Sequence, residues 1–142
     1  MVSGQCLCGK VRFEVSGDLG SARLCYCDFC RRANGTAFSA NVRVPAASYE
    51  LLSGHEVIRE YESSPGAFRA FCSNCGSPVF AKVASDPEHI RVRLGTLARD
   101  AKATVAGHVW VRSKPDWYSI EDGLPQYDQS AAGELFRPAQ RP

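Results

Sequence analysis
Cysteine is the residue type in this chain best placed to do chemistry. Its seven copies fall in three tight groups, Cys6-Leu7-Cys8, Cys25-Tyr26-Cys27-Asp28-Phe29-Cys30 and Cys72-Ser73-Asn74-Cys75. C-x-C and C-x-x-C spacings suit thiolate ligation of zinc. A structural zinc is closed by four protein ligands, whereas a catalytic one keeps three and leaves its fourth position to water or substrate. Seven cysteines divide into four plus three, which predicts two zinc ions, one closed and structural, the other open and reactive.

Other uses of the thiols fit less well. Cysteines this close in sequence rarely meet the α-carbon separation and dihedral of a good disulfide. An odd number would also leave a thiol over. The start of the chain, MVSGQCLCGKVRF, has no apolar core of signal-peptide length, so a reducing compartment, the cytoplasm, is expected. A redox pair at Cys72 and Cys75 would leave the other five cysteines unexplained.

At 142 residues the chain predicts one domain. We place a single zinc-binding domain at 1–130 and a flexible C-terminal tail at 131–142 (AAGELFRPAQRP). No apolar run approaches a membrane span. The formal charge of +2 is too small to imply a nucleic-acid partner, and seven thiolates on two zinc ions would bring it to about −1.

The elements that must position the cysteines read as mostly β. Val11, Phe13 and Val15 alternate with Arg12 and Glu14 and predict a strand ending at Gly17. Phe38, Ala40, Val42 and Val44 alternate likewise and stop at Pro45. Strands are expected at 57–61 and 68–71 around the turn Ser64-Pro65-Gly66, then at 78–83, 90–94 and 108–112. One short helix is expected over 29–33, capped by Asp28 and ended by Asn34-Gly35 in the left-handed conformation. The fold class is therefore a small antiparallel β domain with one helical turn beside the second cysteine group.

Cys8 is followed by Gly9 and Cys75 by Gly76, whereas Cys30 runs on into Arg31 inside the expected helix. Glycine permits the positive φ with which a zinc knuckle turns after its last ligand. Cys6, Cys8, Cys72 and Cys75 are thus read as one four-ligand site, and Cys25, Cys27 and Cys30 as the three-ligand site. Spacing alone leaves other partitions open.

Three thiolates donate strongly and blunt the metal's acidity toward water, so the second site suits capture of a substrate thiol better than hydrolysis. A zinc deaminase would also want a glutamate beside its ligands, and no H-x-E or C-x-E occurs. Arg31 or Arg32 could face the anionic site or the carboxylates of a thiol substrate, although solvated arginines are the commoner outcome. His55, His89 and His108 lie far from the cysteines in sequence; one of them as a fourth ligand would close the second site. Phe29, Phe38, Trp110 and Trp117 read as packing residues before substrate contacts.

The segments CLCGKVRFEVSG, CYCDFCRRANGTAFSA, FCSNCGSPVF and HVWVRSKPDWYSIEDGLPQY resemble, in order, signatures of the glutathione-dependent formaldehyde-activating enzyme family, which includes the centromere protein V group. The resemblance runs from Gly4 to about Tyr127. It implies a β-tent fold and structural zinc on Cys6, Cys8, Cys72 and Cys75, with the catalytic zinc on Cys25, Cys27 and Cys30. It also implies a carbon–sulfur lyase activity that adds glutathione to formaldehyde. One position departs from the pattern: the family usually has histidine between the first two catalytic-cluster cysteines, and here stands Tyr26, which removes no ligand. On this reading a bound thiol is held as thiolate and adds to an aldehyde, with Tyr26, Asp28 or water protonating the oxyanion. The alternative is a zinc-stabilised binding module without catalysis.

Overall fold
The computed structural model describes residues 1–130. The expected tail at 131–142 lies outside the described residues. The strands are β1 (Val2–Gln5), β2 (Arg12–Val15), β3 (Ser21–Cys25), β4 (Ser39–Pro45), β5 (Tyr49–Ser53), β6 (Ile58–Ser64), β7 (Ala67–Cys72), β8 (Pro78–Val83), β9 (His89–Arg93) and β10 (Thr104–Val109). One α-helix, α1 (Asp28–Asn34), follows β3. No helix among the described residues is long and apolar enough to cross a membrane.

The domain is mainly β, built as two sheets. A three-stranded sheet has the order β1-β2-β5 and a seven-stranded sheet the order β10-β3-β4-β9-β8-β7-β6. The period-two pattern explains why they face each other: side chains alternate across a strand, so one set from each sheet can be buried. Phe13 and Val15 of β2 enter the core from the small sheet. Ala22, Val42, Val44, Val79, Ile90 and Val92 enter it from the large one. Cys6 and Cys72 sit in the same core, so the first metal candidate is anchored where the sheets meet.

The opposite face of the large sheet carries the polar members of the same strands. Register sets them in rows: Arg23 of β3 is opposite Asn41 of β4, and Asn41 is opposite Arg93 of β9. A second row runs Arg43, Arg91, Ala81, Arg69 across β4, β9, β8 and β7. Cys25 lies opposite Ser39, one pair beyond the first row on the same face.

Several details differ from the sequence expectation. β1, β3 and β5 were not anticipated. β1 is only four residues and contains Ser3 and Gly4, which carry little strand signal. The pairing is not wholly antiparallel, because the edge strand β10 runs parallel to β3. The strand expected at 108–112 ends instead at Val109, where Trp110 adopts φ 57° and a 3-10 turn follows. The helix begins at Asp28, and its N-cap is Cys27 rather than Asp28.

Candidate metal centres
Cys6 and Cys8 leave β1, and Cys72 and Cys75 leave β7, on two turns of the same construction. The Cys6 amide donates to Val11 O (3.0 Å) and the Cys72 amide to Ser77 O (3.0 Å). The Gly9 amide closes on Cys6 O (3.1 Å) and the Gly76 amide on Cys72 O (2.7 Å). Both glycines take the expected positive φ, 76° and 78°. The Val11 amide points at Cys6 Sγ from 3.3 Å. All four sulfurs lie within 4.8 Å of one another, with Cys6–Cys8 at 3.5 Å and Cys8–Cys72 at 3.8 Å. A tetrahedron with Zn–S bonds of about 2.3 Å has edges of about 3.8 Å, so this group fits zinc. The Cys75 thiol is drawn down to about 5, first by the Ser77 hydroxyl, and burial pushes Cys72 up to about 11.

Cys25, Cys27 and Cys30 also converge, with their sulfurs within 4.8 Å. Cys25 ends β3, and Cys27 and Cys30 flank the first turn of α1. The Cys27 sulfur accepts from the Cys30 amide at 3.4 Å, so one thiol both caps the helix and joins the cluster. Gly35, at φ 67°, ends the helix as expected, and its amide returns to Arg31 O. The Cys30 thiol is held well below the ordinary thiol range by donation from Cys25 and Cys27, then by Ser39 and the Arg69 guanidinium. Cys25 is pushed upward, because Cys27 and Cys30 compete with it for the same negative charge. Arg69 places both terminal nitrogens 3.8 Å from Cys30 Sγ. No histidine joins either cluster among the described residues. The second group therefore offers three sulfurs that could hold a metal with a position to spare.

The strand alternation that turns Cys25 and Cys27 toward the cluster turns Tyr26 away from it. Tyr26 is 0% exposed and packs among Leu24, Ala37, Phe38 and Tyr118. Its hydroxyl meets His108 Nδ1 at 2.9 Å, and His108 Nε2 meets Asp122 at 2.9 Å. Tyr26 is thus a core residue and is corrected as a proton-donor candidate. Asp28 is exposed and ion-paired to Arg31. Arg31 also reaches Tyr26 O, so it folds onto its own helix and does not face the sulfurs. Trp110, expected only as packing, is half-buried and packs against the small buried cluster of Cys25, Cys30 and Val109.

Two hollows open beside the second group. A cavity of about 130 Å³ is bounded by Cys25, Cys30, Arg23, Arg69, Arg91 and Arg93. A shallower groove of about 460 Å³ runs past it between α1 and β6, with Phe29, Arg32, Tyr61, Ser63 and Arg69 along its walls. Phe29 and Tyr61 there are 54% and 65% exposed. A larger trough of about 820 Å³ lies on the small sheet and borders only Cys6 and Leu7 of the first group. It brings no second chemistry-bearing cluster with it. Arg69 and Arg93 were missed from sequence. The available signal was the alternation of Arg91 and Arg93 with the core residues Ile90 and Val92, which puts both arginines on the non-core face.

Residues 1–113 match the family described as glutathione-dependent formaldehyde-activating enzyme, a span that includes all seven cysteines. The chain belongs to that family. A Halomonas elongata protein named "Putative glutathione-dependent formaldehyde-activating enzyme" is 31% identical over 130 residues, covering 85% of this chain and 82% of that protein. An uncharacterized lyase of Schizosaccharomyces pombe is 25% identical over 117 residues, covering 82% of this chain and 83% of that protein. Among solved structures, a Rhodobacter sphaeroides protein superposes with a TM-score of 0.60 at 26% identity, over 70% of this chain and 90% of that one.

Proposed function
We propose that this chain is a zinc-dependent carbon–sulfur lyase that adds glutathione to formaldehyde, giving S-hydroxymethylglutathione. Family membership and the names of its relatives support the reaction class. The observation that carries the reading is a cluster of three sulfurs, not four, beside a groove able to seat a thiol's body. In this reading Cys6, Cys8, Cys72 and Cys75 hold a structural zinc, and Cys25, Cys27 and Cys30 hold the working one. Held by these three thiolates, zinc would offer a soft open position and lower the pKa of an incoming thiol.

The chain's own residues do the rest. Phe29 and Tyr61 offer apolar walls for the body of the thiol. Trp110 adds apolar surface to the cluster of Cys25, Cys30 and Val109. Arg69 places positive charge beside Cys30, where the oxyanion of the adduct would develop. The C–S bond forms as the carbonyl π pair moves to oxygen, and the thiol's proton ends on that oxygen through solvent. Thiolate ligation of this kind requires a reducing compartment, the cytoplasm in this reading.

The test is ¹³C NMR of labelled formaldehyde with glutathione. The chain should speed the exchange between free and adduct pools, and Cys27→Ser should cut the acceleration about 100-fold while the protein stays folded. A wild-type chain carrying two zinc ions without any acceleration would favour the binding-module alternative.

A further inference from the structure
The non-core face of the large sheet concentrates cations beyond what the second sulfur cluster can balance. Arg23, Arg69, Arg91 and Arg93 converge on the cavity of about 130 Å³ next to Cys25 and Cys30, and no aspartate or glutamate is among the described residues that line it. Their neighbours account for part of the charge. Asp86 takes the Arg43 and Arg91 guanidiniums together, at 2.8 Å and 3.0 Å. Lys82, also on the rim, pairs with Glu60 at 2.6 Å. Arg69 donates to Ser63 and faces Cys30. Even with three thiolates on a divalent ion, a net charge of about −1 stands against the guanidiniums of Arg69 and Arg93.

Arg93 is the telling residue. It is 4% exposed. One terminal nitrogen donates to Asn41 Oδ1, while Nε and Nη2 have no hydrogen-bond partner among the described residues, and neither does Nη1 of Arg91. Asn41 in turn donates to Ser39 Oγ at 2.8 Å, and Ser39 supports Cys30. The arginine is thus fixed by a chain of donors ending at the reacting cluster, with its remaining donors unanswered. Buried guanidinium nitrogens left unpaired are costly, and like charges on adjacent strands repel. An anion in the cavity would relieve the like-charge repulsion and lie beside these guanidiniums.

We infer that this cavity is a carboxylate subsite, taking an acid group that the substrate carries within a few bonds of its reacting atom. The inference rests on the function proposed above for its link to turnover, but not for binding itself. The cavity is well below the roughly 300 Å³ at which sites for whole small molecules begin, so it suits an acid group rather than a tripeptide. The acid can be carried by the thiol or by the aldehyde, and both place a carboxylate beside the sulfurs.

The zinc-loaded full chain is first titrated with sodium acetate against sodium chloride at equal ionic strength, by calorimetry and thermal melting. Saturable acetate binding with a rise in Tm is expected. Arg69→Gln, on the half-buried rim, should weaken it about tenfold or more, and Arg93→Gln should do the same if it folds. Lys102→Gln, on the surface, should leave it unchanged. Turnover then separates the sources. Preference for glyoxylate over formaldehyde that is lost in Arg69→Gln puts the acid on the aldehyde. Preference for mercaptoacetate over 2-mercaptoethanol that is lost in the same variant puts it on the thiol. No saturable binding, or binding indifferent to Arg69→Gln, overturns the inference even if formaldehyde turnover is normal. Acetate binding in a chain that turns over neither aldehyde overturns the proposed reaction and leaves the subsite standing.

Discussion

The two sulfur clusters are alike in burial and opposite in setting. Each has two sulfur-bearing residues in the core and one nearer solvent or more: Cys6 and Cys72 with Cys75 and Cys8 in the first, Cys25 and Cys30 with Cys27 in the second. The first is wrapped by backbone amides from two matching turns and ties β7 to the end of β1. The second joins the end of β3 to one helical turn, has three ligand groups among the described residues, and looks onto an arginine-lined cavity. Burial therefore does not distinguish the two clusters in this fold. Ligand number and the sign of the surrounding charge do.

The sharpest way to break that contrast is to remove a ligand from each side. Cys72→Ser takes a 0%-exposed ligand from the core junction and should cost several kcal/mol of stability, read as a collapse of the denaturation midpoint together with loss of one metal ion. Gly54→Ala should follow, at about 3 kcal/mol. Gly54 has φ 93°, and a Cβ there would lie 2.7 Å from the Val11 α-carbon, displacing the residue whose amide faces Cys6 Sγ. Its effect should fall on the first site, with the metal of the second retained. Cys27→Ser should invert the pattern, with turnover down about 100-fold (about 2.7 kcal/mol) and a melting temperature close to wild type. A Cys27→Ser protein that unfolds like Cys72→Ser would erase the distinction.

Tyr26→Phe tests the correction made above. Loss of the hydroxyl leaves His108 Nδ1 without its partner and should cost about 1 kcal/mol of stability, while turnover stays within about threefold. A large loss of turnover with unchanged stability would return Tyr26 to the reaction. The smallest effect concerns Asp86, whose carboxyl is held well below its usual range by Arg43, then by His89 and Arg91. A group with a depressed folded pKa contributes stability that is complete above the unfolded value of about 3.9 and disappears as pH falls through the folded one. Wild-type stability should therefore decline below about pH 4 more steeply than that of Asp86→Asn, by urea titration across pH.

Much of this was legible in the sequence where a local rule governs. Gly9 and Gly76 announced the two knuckles, and Asn34-Gly35 the helix end, because positive φ selects glycine whatever surrounds it. The alternation in 11–15 and 38–44 gave β2 and β4 because one face is buried. What stayed hidden is what only register decides. Nothing local says that Arg23, Asn41 and Arg93, from three strands, form one row, or that Arg69 reaches Cys30. Asp28 was the better capping residue by propensity, yet Cys27 caps the helix because the cluster fixes where its sulfur lies. Tyr26 shows the same limit, since its partner His108 is more than eighty residues away.

The most direct test of the open second site uses cobalt(II) in place of zinc, because its spectrum reports how many thiolates surround it. The protein loaded with cobalt is titrated with glutathione. Two ions per chain are expected, with a rise in thiolate-to-cobalt charge-transfer absorbance that saturates at one glutathione per chain and is absent in Cys27→Ser. A single tightly held ion, or a spectrum that glutathione leaves unchanged, would contradict an open second site.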